Sequence, residues 1–264
     1  MTGCRARVPA RRWIAPETTL LKFISLMTVV LLAGPAAVAL GGLTALGGDW
    51  RTASREPVGI APDPADTPEP VVQVYGARAF NWRGAFAVHT WISVKRRNAA
   101  AFTTYEVIGW RLGRGLDALA TRQGPPDRQW FGNPPEIYLD LRGDPIEALI
   151  DKVEAAVAAY PYKAQYRTWP GPNSNTFTAH IARAVPELGL DLPPTAIGKD
   201  YLGLGTFAAR SPSGTGFQVS LFGLLGVLIG IEEGIEFNLL GLSVGVDPLD
   251  LTLRLPGWGR LGPS

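Results

Sequence analysis

Residues 71–94 read VVQVYGARAFNWRGAFAVHTWISV, and the fold class is predicted first from this segment. Its two halves, 71–79 and 86–94, are rich in β-branched and aromatic residues and partly alternate, which is typical of β-strands. Residues 103–110 have the same character, and KRRN at 95–98 reads as the tip of the hairpin that joins them. The pattern predicts an antiparallel meander.

The next elements are a loop, a short strand and a helix. Glycines and prolines over 113–135 predict a long loop, which leads into a short strand at 136–141. Residues 144–157 then place apolar side chains at helical spacing, with Asp144 as the expected N-cap and Pro145 in the first turn.

A second, shorter helix completes this part of the chain. It begins at Asn173 or Ser174, carries Phe177 and Ile181 on one face, and ends before Pro186. Strands and helices occur in separate groups, so the predicted fold class is α+β, with an antiparallel sheet and a few helices.

Residues 217–245 are very apolar, with repeated glycine and charges only at Glu232, Glu233 and Glu236. Their uncharged run is too short to span a bilayer comfortably, and the alternation in FQVSL at 217–221 favours strands over a membrane helix. We expect these strands to belong to the core and the three glutamates to lie in a solvated turn.

The N-terminal region predicts a membrane anchor. Residues 23–48 carry no charged side chain, and at about 1.5 Å per residue they exceed a hydrocarbon core of roughly 30 Å. Basic flanks stay in the cytoplasm, and the basic residues before this segment are Arg5, Arg7, Arg11, Arg12 and Lys22. We expect a cytoplasmic basic tail over 1–22 and a single-pass anchor in the cytoplasmic (inner) membrane over 23–48. The C-terminal part would then be periplasmic.

A cleaved signal peptide is the alternative. Residues 31–35, LLAGP, interrupt the apolar run, and Ala37-Val38-Ala39 has the small-x-small form of a cleavage site. The long region before the apolar run favours an uncleaved anchor.

The rest of the chain is expected to be a proline-rich spacer over 49–70 and one exported domain over 71–264. After residue 48 the chain has 20 basic and 22 acidic side chains, which gives no support to nucleic-acid binding. The single cysteine, Cys4, lies in the basic tail. His89 and His180 have no metal-site spacing, so we expect neither a metal nor another cofactor.

His89 and Ser174 are the candidate catalytic residues. The amide groups and dipole of a helix N-terminus stabilise an anionic nucleophile or oxyanion, and a histidine on an adjacent strand can act as general base. Each residue also has a structural interpretation: His89 as a half-buried histidine bonded to a neighbour, and Ser174 as an ordinary helix cap.

The order His89-Thr90 on a strand, then a hairpin, a helix and NSNTF at 173–177, resembles the circularly permuted papain-like hydrolases. Desumoylating isopeptidases and lecithin retinol acyltransferases are members of that superfamily. VQVYGARAFNWRGAFAVHTWI at 72–92, PGPNSNTF at 170–177 and LPGWGRLG at 255–262 resemble the bacterial family called domain of unknown function 3750. The resemblance implies a permuted papain-like domain with Ser174 in place of the nucleophilic cysteine.

Further site residues follow from this resemblance. Glu106, on the strand after His89, would orient the imidazole, unless it is an exposed carboxylate at a sheet edge. Trp91, Asn173 and Asn175 are expected to bind substrate. Apart from the resemblance, the aromatic residues Trp82, Trp91, Trp110, Trp130 and Trp169 are candidates to line a cleft, with a place in the core as the alternative.

Two functions remain open from the sequence. One is a serine hydrolase or acyltransferase that acts on an amide or ester of an envelope peptide, peptidoglycan or lipid. The other is a catalytically inactive binding or envelope assembly module. A serine hydroxyl needs a well-placed base and an oxyanion hole, so the geometry of Ser174 and His89 discriminates between them.

Overall fold

The computed structural model describes residues 16–44 and 47–263, where two antiparallel sheets accompany a few helices. The predicted α+β class is confirmed. The tail residues Arg5, Arg7, Arg11, Arg12 and Cys4 lie outside the described residues.

Helix α1, Pro16–Leu40, is the predicted apolar helix. Its segment Thr19–Leu40 is long and apolar enough to cross a membrane. The helix begins earlier and ends earlier than the predicted anchor over 23–48, because a turn that includes Gly42, with φ of 69°, follows Leu40. The helix also continues through Pro35, so the LLAGP segment does not end it.

Sheet 1 has the strand order β4-β3-β2-β1-β5. Its strands are β1 Val71–Arg78, β2 Val88–Lys95, β3 Thr103–Val107, β4 Leu119–Gln123 and β5 Pro135–Arg142. The predicted third strand, 103–110, is shorter than expected, because a 3₁₀ helix occupies Gly109–Arg114. The predicted loop over 113–135 contains β4, which pairs with β3 along its whole length.

Two helices pack on one face of sheet 1. Helix α2, Ile146–Ala158, contacts β1, and helix α3, Ser174–Ala184, contacts β2 and β3. Asp144 does not cap α2, since Pro145 takes the N-cap position and the Asp144 carboxylate accepts a hydrogen bond from Arg97 instead. Between these helices and the sheet lies the main apolar core.

The opposite face of sheet 1 is covered by the predicted spacer and by the loop before β5. Val58 N–H donates to the Asp127 carbonyl, and Ile60 N–H donates to the Asp127 carboxylate at 2.8 Å. Gly132 N–H donates to the Ser54 carbonyl. Residues 54–60 therefore pack on the domain and are not an extended spacer.

Sheet 2 is a meander in which each strand pairs with the next in sequence. Its strands are β6 Ala208–Arg210, β7 Phe217–Leu221, β8 Leu225–Gly230, β9 Gly234–Leu239, β10 Leu242–Asp247, β11 Thr252–Leu255 and β12 Gly259–Leu261. Strands rather than a second membrane helix are confirmed over 217–245.

Most apolar side chains of sheet 2 point outward, so the expectation that they form core is wrong for all but a few, such as the buried Leu228. Directly paired residues share a face of an antiparallel sheet, and the register aligns them in three rows. We call these rows the apolar face: Phe217, Ile229, Ile235, Val246, Leu253 and Leu261; Val219, Val227, Phe237 and Val244; Leu221, Leu225, Leu239 and Leu242. Phe217 is 71% exposed and Phe237 is 59% exposed.

Most polar side chains of sheet 2 point inward and are buried. Glu236 pairs with Lys199 and with Arg254, whose Nη1 lies 3.0 Å from Glu236 Oε1. Glu233 is also buried and accepts hydrogen bonds from Ser213. The predicted solvated turn is therefore wrong for these two glutamates. Glu236 holds sheet 2 against the rest of the domain through Lys199, whereas Glu233 bonds to the connection between β6 and β7.

Candidate functional site

A large cleft lies where the start of β2 meets the N-terminus of α3. Its volume is about 1080 Å³, and both His89 and Ser174 line it. Its walls are mostly aromatic and aliphatic, and Leu240 and Leu242 of sheet 2 close one side.

His89 is buried and held on two sides. Its Nε2 lies 3.3 Å from Glu106 Oε2, and its ring stacks on Trp130 with the centroids 3.5 Å apart and the planes 9° apart. Glu106 is 9% exposed, and Arg122 of β4 lies 4.0 Å from its other oxygen. The alternative of an exposed edge carboxylate is therefore wrong, because β4 makes β3 an interior strand.

Ser174 is the first residue of α3, and Asn173 caps the helix. The Asn173 Oδ1 accepts from the backbone N–H groups of Asn175 and Thr176, while Thr176 Oγ1 accepts from Asn173 N–H, which forms a capping box. The sequence leaves the cap open between Asn173 and Ser174, and in the structure it is Asn173. Ser174 is thus the first helical residue and not the cap.

Asn175 links α3 to the strand that carries His89. Its Nδ2 donates to the carbonyls of Val88 and Ile197 at 2.9 and 2.8 Å, and its Oδ1 accepts from Thr90 Oγ1 at 3.0 Å. The amides of Asn173 and Asn175 are thus both bonded within the protein. They position the helix start, although both residues also line the cleft.

His89 and Ser174 approach the cleft from opposite faces of sheet 1. Thr90 bonds to Asn175 and Thr178 of α3, and side chains alternate along a strand. His89 therefore faces away from α3, on the side of Trp91 and Glu106. Within the described part of the chain, no hydrogen bond joins the His89 ring to Ser174 Oγ.

Four of the five predicted tryptophans line the cleft: Trp82, Trp110, Trp130 and Trp169. Trp91 does not line it. Its ring stacks on Tyr75 in a small second core, and its Nε1 donates to the Pro126 carbonyl at 2.8 Å. The reason is that the loop after β4 covers this part of the sheet, and that loop position could not be deduced from the sequence.

Several cleft residues were not predicted from the sequence. They come from segments interpreted as spacer, turn or core: Trp50, Phe80, Phe131, Tyr166, Leu240 and Leu242. The Trp169 Nε1 donates to the Leu240 carbonyl at 2.9 Å and so fixes sheet 2 against the cleft. Aromatic residues just before and after predicted strands were the available signal.

The charged residues of the cleft are all basic. Arg55, Arg83 and Arg114 line it, and among the described residues no aspartate or glutamate does. Burial raises the pKa of the Tyr166 phenol above its ordinary value, so this wall is neutral at physiological pH. Over residues 16–44 and 47–263, no three His, Cys, Asp or Glu side chains converge as metal ligands would.

Comparison with known proteins places this architecture in a family. Residues 69–201, about half of the chain, match the family described as Protein of unknown function (DUF3750). The chain belongs to this family. No curated protein and no solved structure gives a significant match.

The DUF3750 match spans sheet 1, α2 and α3, and therefore His89, Glu106 and the Asn173–Asn175 segment. Helix α1 and sheet 2 lie outside it. The cleft is thus lined partly by residues within the DUF3750 match and partly by residues of sheet 2 outside it.

Proposed function

We propose that this DUF3750 protein is a membrane-anchored binding protein whose cleft holds an anionic amphiphile, such as a fatty acid or a lipid with one acyl chain. The observation that carries the proposal is the aromatic and aliphatic lining of the cleft. Ligand sites are concave and mostly apolar, with a few placed polar groups, and about 1080 Å³ is ample for an acyl chain.

The charge of the cleft supports an anionic head group. Arg55, Arg83 and Arg114 provide guanidinium groups, and Arg is the preferred partner of carboxylate and phosphate. Arg55 packs over the Phe131 ring at 4.3 Å and Arg83 over Trp82 at 5.3 Å. Both guanidinium groups therefore lie beside apolar walls, where a head group and a chain can bind together.

The cellular setting is part of this proposal. Helix α1 supports attachment to the cytoplasmic membrane, and the basic residues before it support a cytoplasmic N-terminus with the domain in the periplasm. An amphiphile of the bilayer or envelope is then the available ligand.

A direct test uses the full chain in phosphatidylcholine nanodiscs with a palmitate that carries a photoreactive diazirine. We expect crosslinks to peptides that contain Trp110 and Phe131, and we expect excess palmitate to remove them. Replacing Arg83 and Arg114 together by glutamine should lower the crosslinking several-fold, because the head group loses its partners.

Arg97→Gln is the matched control, because Arg97 pairs with Asp144 outside the cleft, and it should leave crosslinking unchanged. Crosslinks that palmitate does not compete away, or equal labelling by the corresponding fatty alcohol, would contradict an anionic amphiphile.

A second candidate is the hydrolase or acyltransferase with Ser174 as nucleophile. It is favoured by the position of Ser174 at the N-terminus of α3, in one cleft with the His89–Glu106 pair. It also fits the resemblance to permuted papain-like enzymes. It ranks second because His89 faces away from α3, across β2 from Ser174, and no hydrogen bond joins the two side chains among the described residues.

The two candidates predict opposite results with a fluorophosphonate probe. If the binding function is right, the folded full chain stays unlabelled at Ser174, since no base activates its hydroxyl. Labelling of the wild type that disappears in both Ser174→Ala and His89→Ala, but persists in Ser54→Ala, would establish the enzyme instead. Mass spectrometry of the labelled peptide gives the measurement.

A further inference from the structure

Sheet 2 is amphipathic in the reverse sense to a sheet of a soluble protein. Antiparallel sheets normally pack their apolar side on the core and expose the polar side. Here the first row of the apolar face runs unbroken across six strands, from Phe217 through Ile229 and Ile235 to Leu261. Contiguous exposed apolar patches of this kind mark interaction sites.

The inner face of sheet 2 carries buried charged side chains, so the sheet is not simply apolar on both faces. Lys199, Glu236 and Arg254 are each at most 2% exposed beneath the sheet. Burial of charged groups carries a desolvation cost. Strands that put polar residues inward and apolar residues outward are the arrangement found where a sheet faces lipid.

Helix α1 reaches the same part of the molecule. A Cβ on Gly34 would lie 2.0 Å from the Pro256 carbonyl oxygen, and one on Gly257 would lie 2.4 Å from Pro35 N, so α1 and the segment after β11 are in close contact. The Arg78 guanidinium donates to the Gly257 carbonyl at 2.5 Å and holds this segment on sheet 1. The large exposed side chains along α1 are mostly apolar as well, Phe23 and Leu40 among them.

From this juxtaposition we propose that the apolar face rests on the lipid bilayer from which α1 emerges. A helix that enters the domain beside β11 brings the edge of sheet 2 to the membrane surface. Trp258, 39% exposed, lies at this junction, and tryptophan is enriched at membrane interfaces. The three rows contain no charged or hydrogen-bonding side chain, whereas a protein partner usually meets a polar rim.

Fluorescence quenching on the full chain tests this contact. The background is Cys4→Ser, which removes the single cysteine, and one variant adds Phe237→Cys on the apolar face. The matched control adds Leu116→Cys, an exposed leucine outside sheet 2. Both are labelled with an environment-sensitive dye and placed in phosphatidylcholine and phosphatidylglycerol vesicles.

We expect nitroxide-bearing lipids to quench the dye at position 237 strongly and the dye at 116 weakly. Quenching by aqueous iodide should be several-fold lower at 237 than at 116. Iodide access equal to that of the control would overturn the proposal, as would equal lipid quenching at both positions. Protection from iodide without lipid quenching would overturn it too, and energy transfer between labelled copies would then identify a second copy as the occupant. Near-ultraviolet circular dichroism of each variant verifies the fold.

Discussion

Replacing Arg254 by methionine is expected to lower the free energy of unfolding by about 3–5 kcal/mol, the range for removing one partner of a buried ion pair. Arg254 is 1% exposed and contacts Asp191, Glu236 and the Glu232 carbonyl. Burial opposes its charge, but hydrogen bonds and charges from Asp191 and Glu236 raise the pKa of Arg254 above the ordinary arginine value. Among the described residues, loss of Arg254 removes one of the two cations that each carboxylate contacts, so Glu236 keeps only Lys199 and Asp191 keeps only the half-exposed Arg260.

Urea unfolding of the full chain in detergent micelles, followed by tryptophan fluorescence, measures this effect. Arg260→Met is the matched control, because Arg260 also pairs with Asp191 but its side chain is 40% exposed. An exposed pair contributes about 0–1 kcal/mol. Equal losses in the two variants would show that burial does not govern the network.

The second large effect is expected at Gly198, next to the start of α3. Its φ is 102°, and a Cβ there would lie 2.3 Å from Asn173 Nδ2. Gly198→Ala therefore forces Asn173 out of its capping position. Overpacking costs about 1–3 kcal/mol and loss of an N-cap about 1 kcal/mol, so we expect a loss of about 2–4 kcal/mol.

Gly205→Ala controls for the added methyl group, since a Cβ at Gly205 meets nothing within 4 Å. The same unfolding experiment applies to both. If Gly198→Ala is as stable as Gly205→Ala, then the contact between Gly198 and Asn173 does not hold the cap in place.

The local elements were readable from the sequence because short-range chemistry determines them. β1 and β2 follow from β-branched residues, and α3 follows from Asn173 ahead of an apolar helical face. β4 was missed because glycines and prolines surround Leu119–Gln123 and its pairing with β3 is a tertiary contact. That one strand also decides that Glu106 is buried.

Sheet 2 shows a different limit. Alternation in FQVSL predicts a strand with one apolar and one polar face, and this is correct for β7. It does not determine which face meets the protein, because that depends on where Lys199 and Asp191 lie. In most soluble proteins the apolar side of such a sheet is core, and in sheet 2 the two faces are reversed.

For the candidate site, the residues could be identified from the sequence, but their spatial relation could not. His89, Ser174 and four of the predicted tryptophans do share one cleft, and Glu106 contacts His89 without lining that cleft. Whether His89 points toward Ser174 depends on which face of β2 its side chain occupies. A shift of one residue along the strand reverses that face, and the sequence does not determine it.

Leu242 belongs both to the cleft wall and to the third row of the apolar face. One wall of the cleft and the surface assigned to lipid therefore share a border. A hydrophobic molecule that crosses this border travels by lateral diffusion within one leaflet and never has to dissolve as a free monomer. Its supply is then governed by its mole fraction in that leaflet and not by its concentration in the surrounding water.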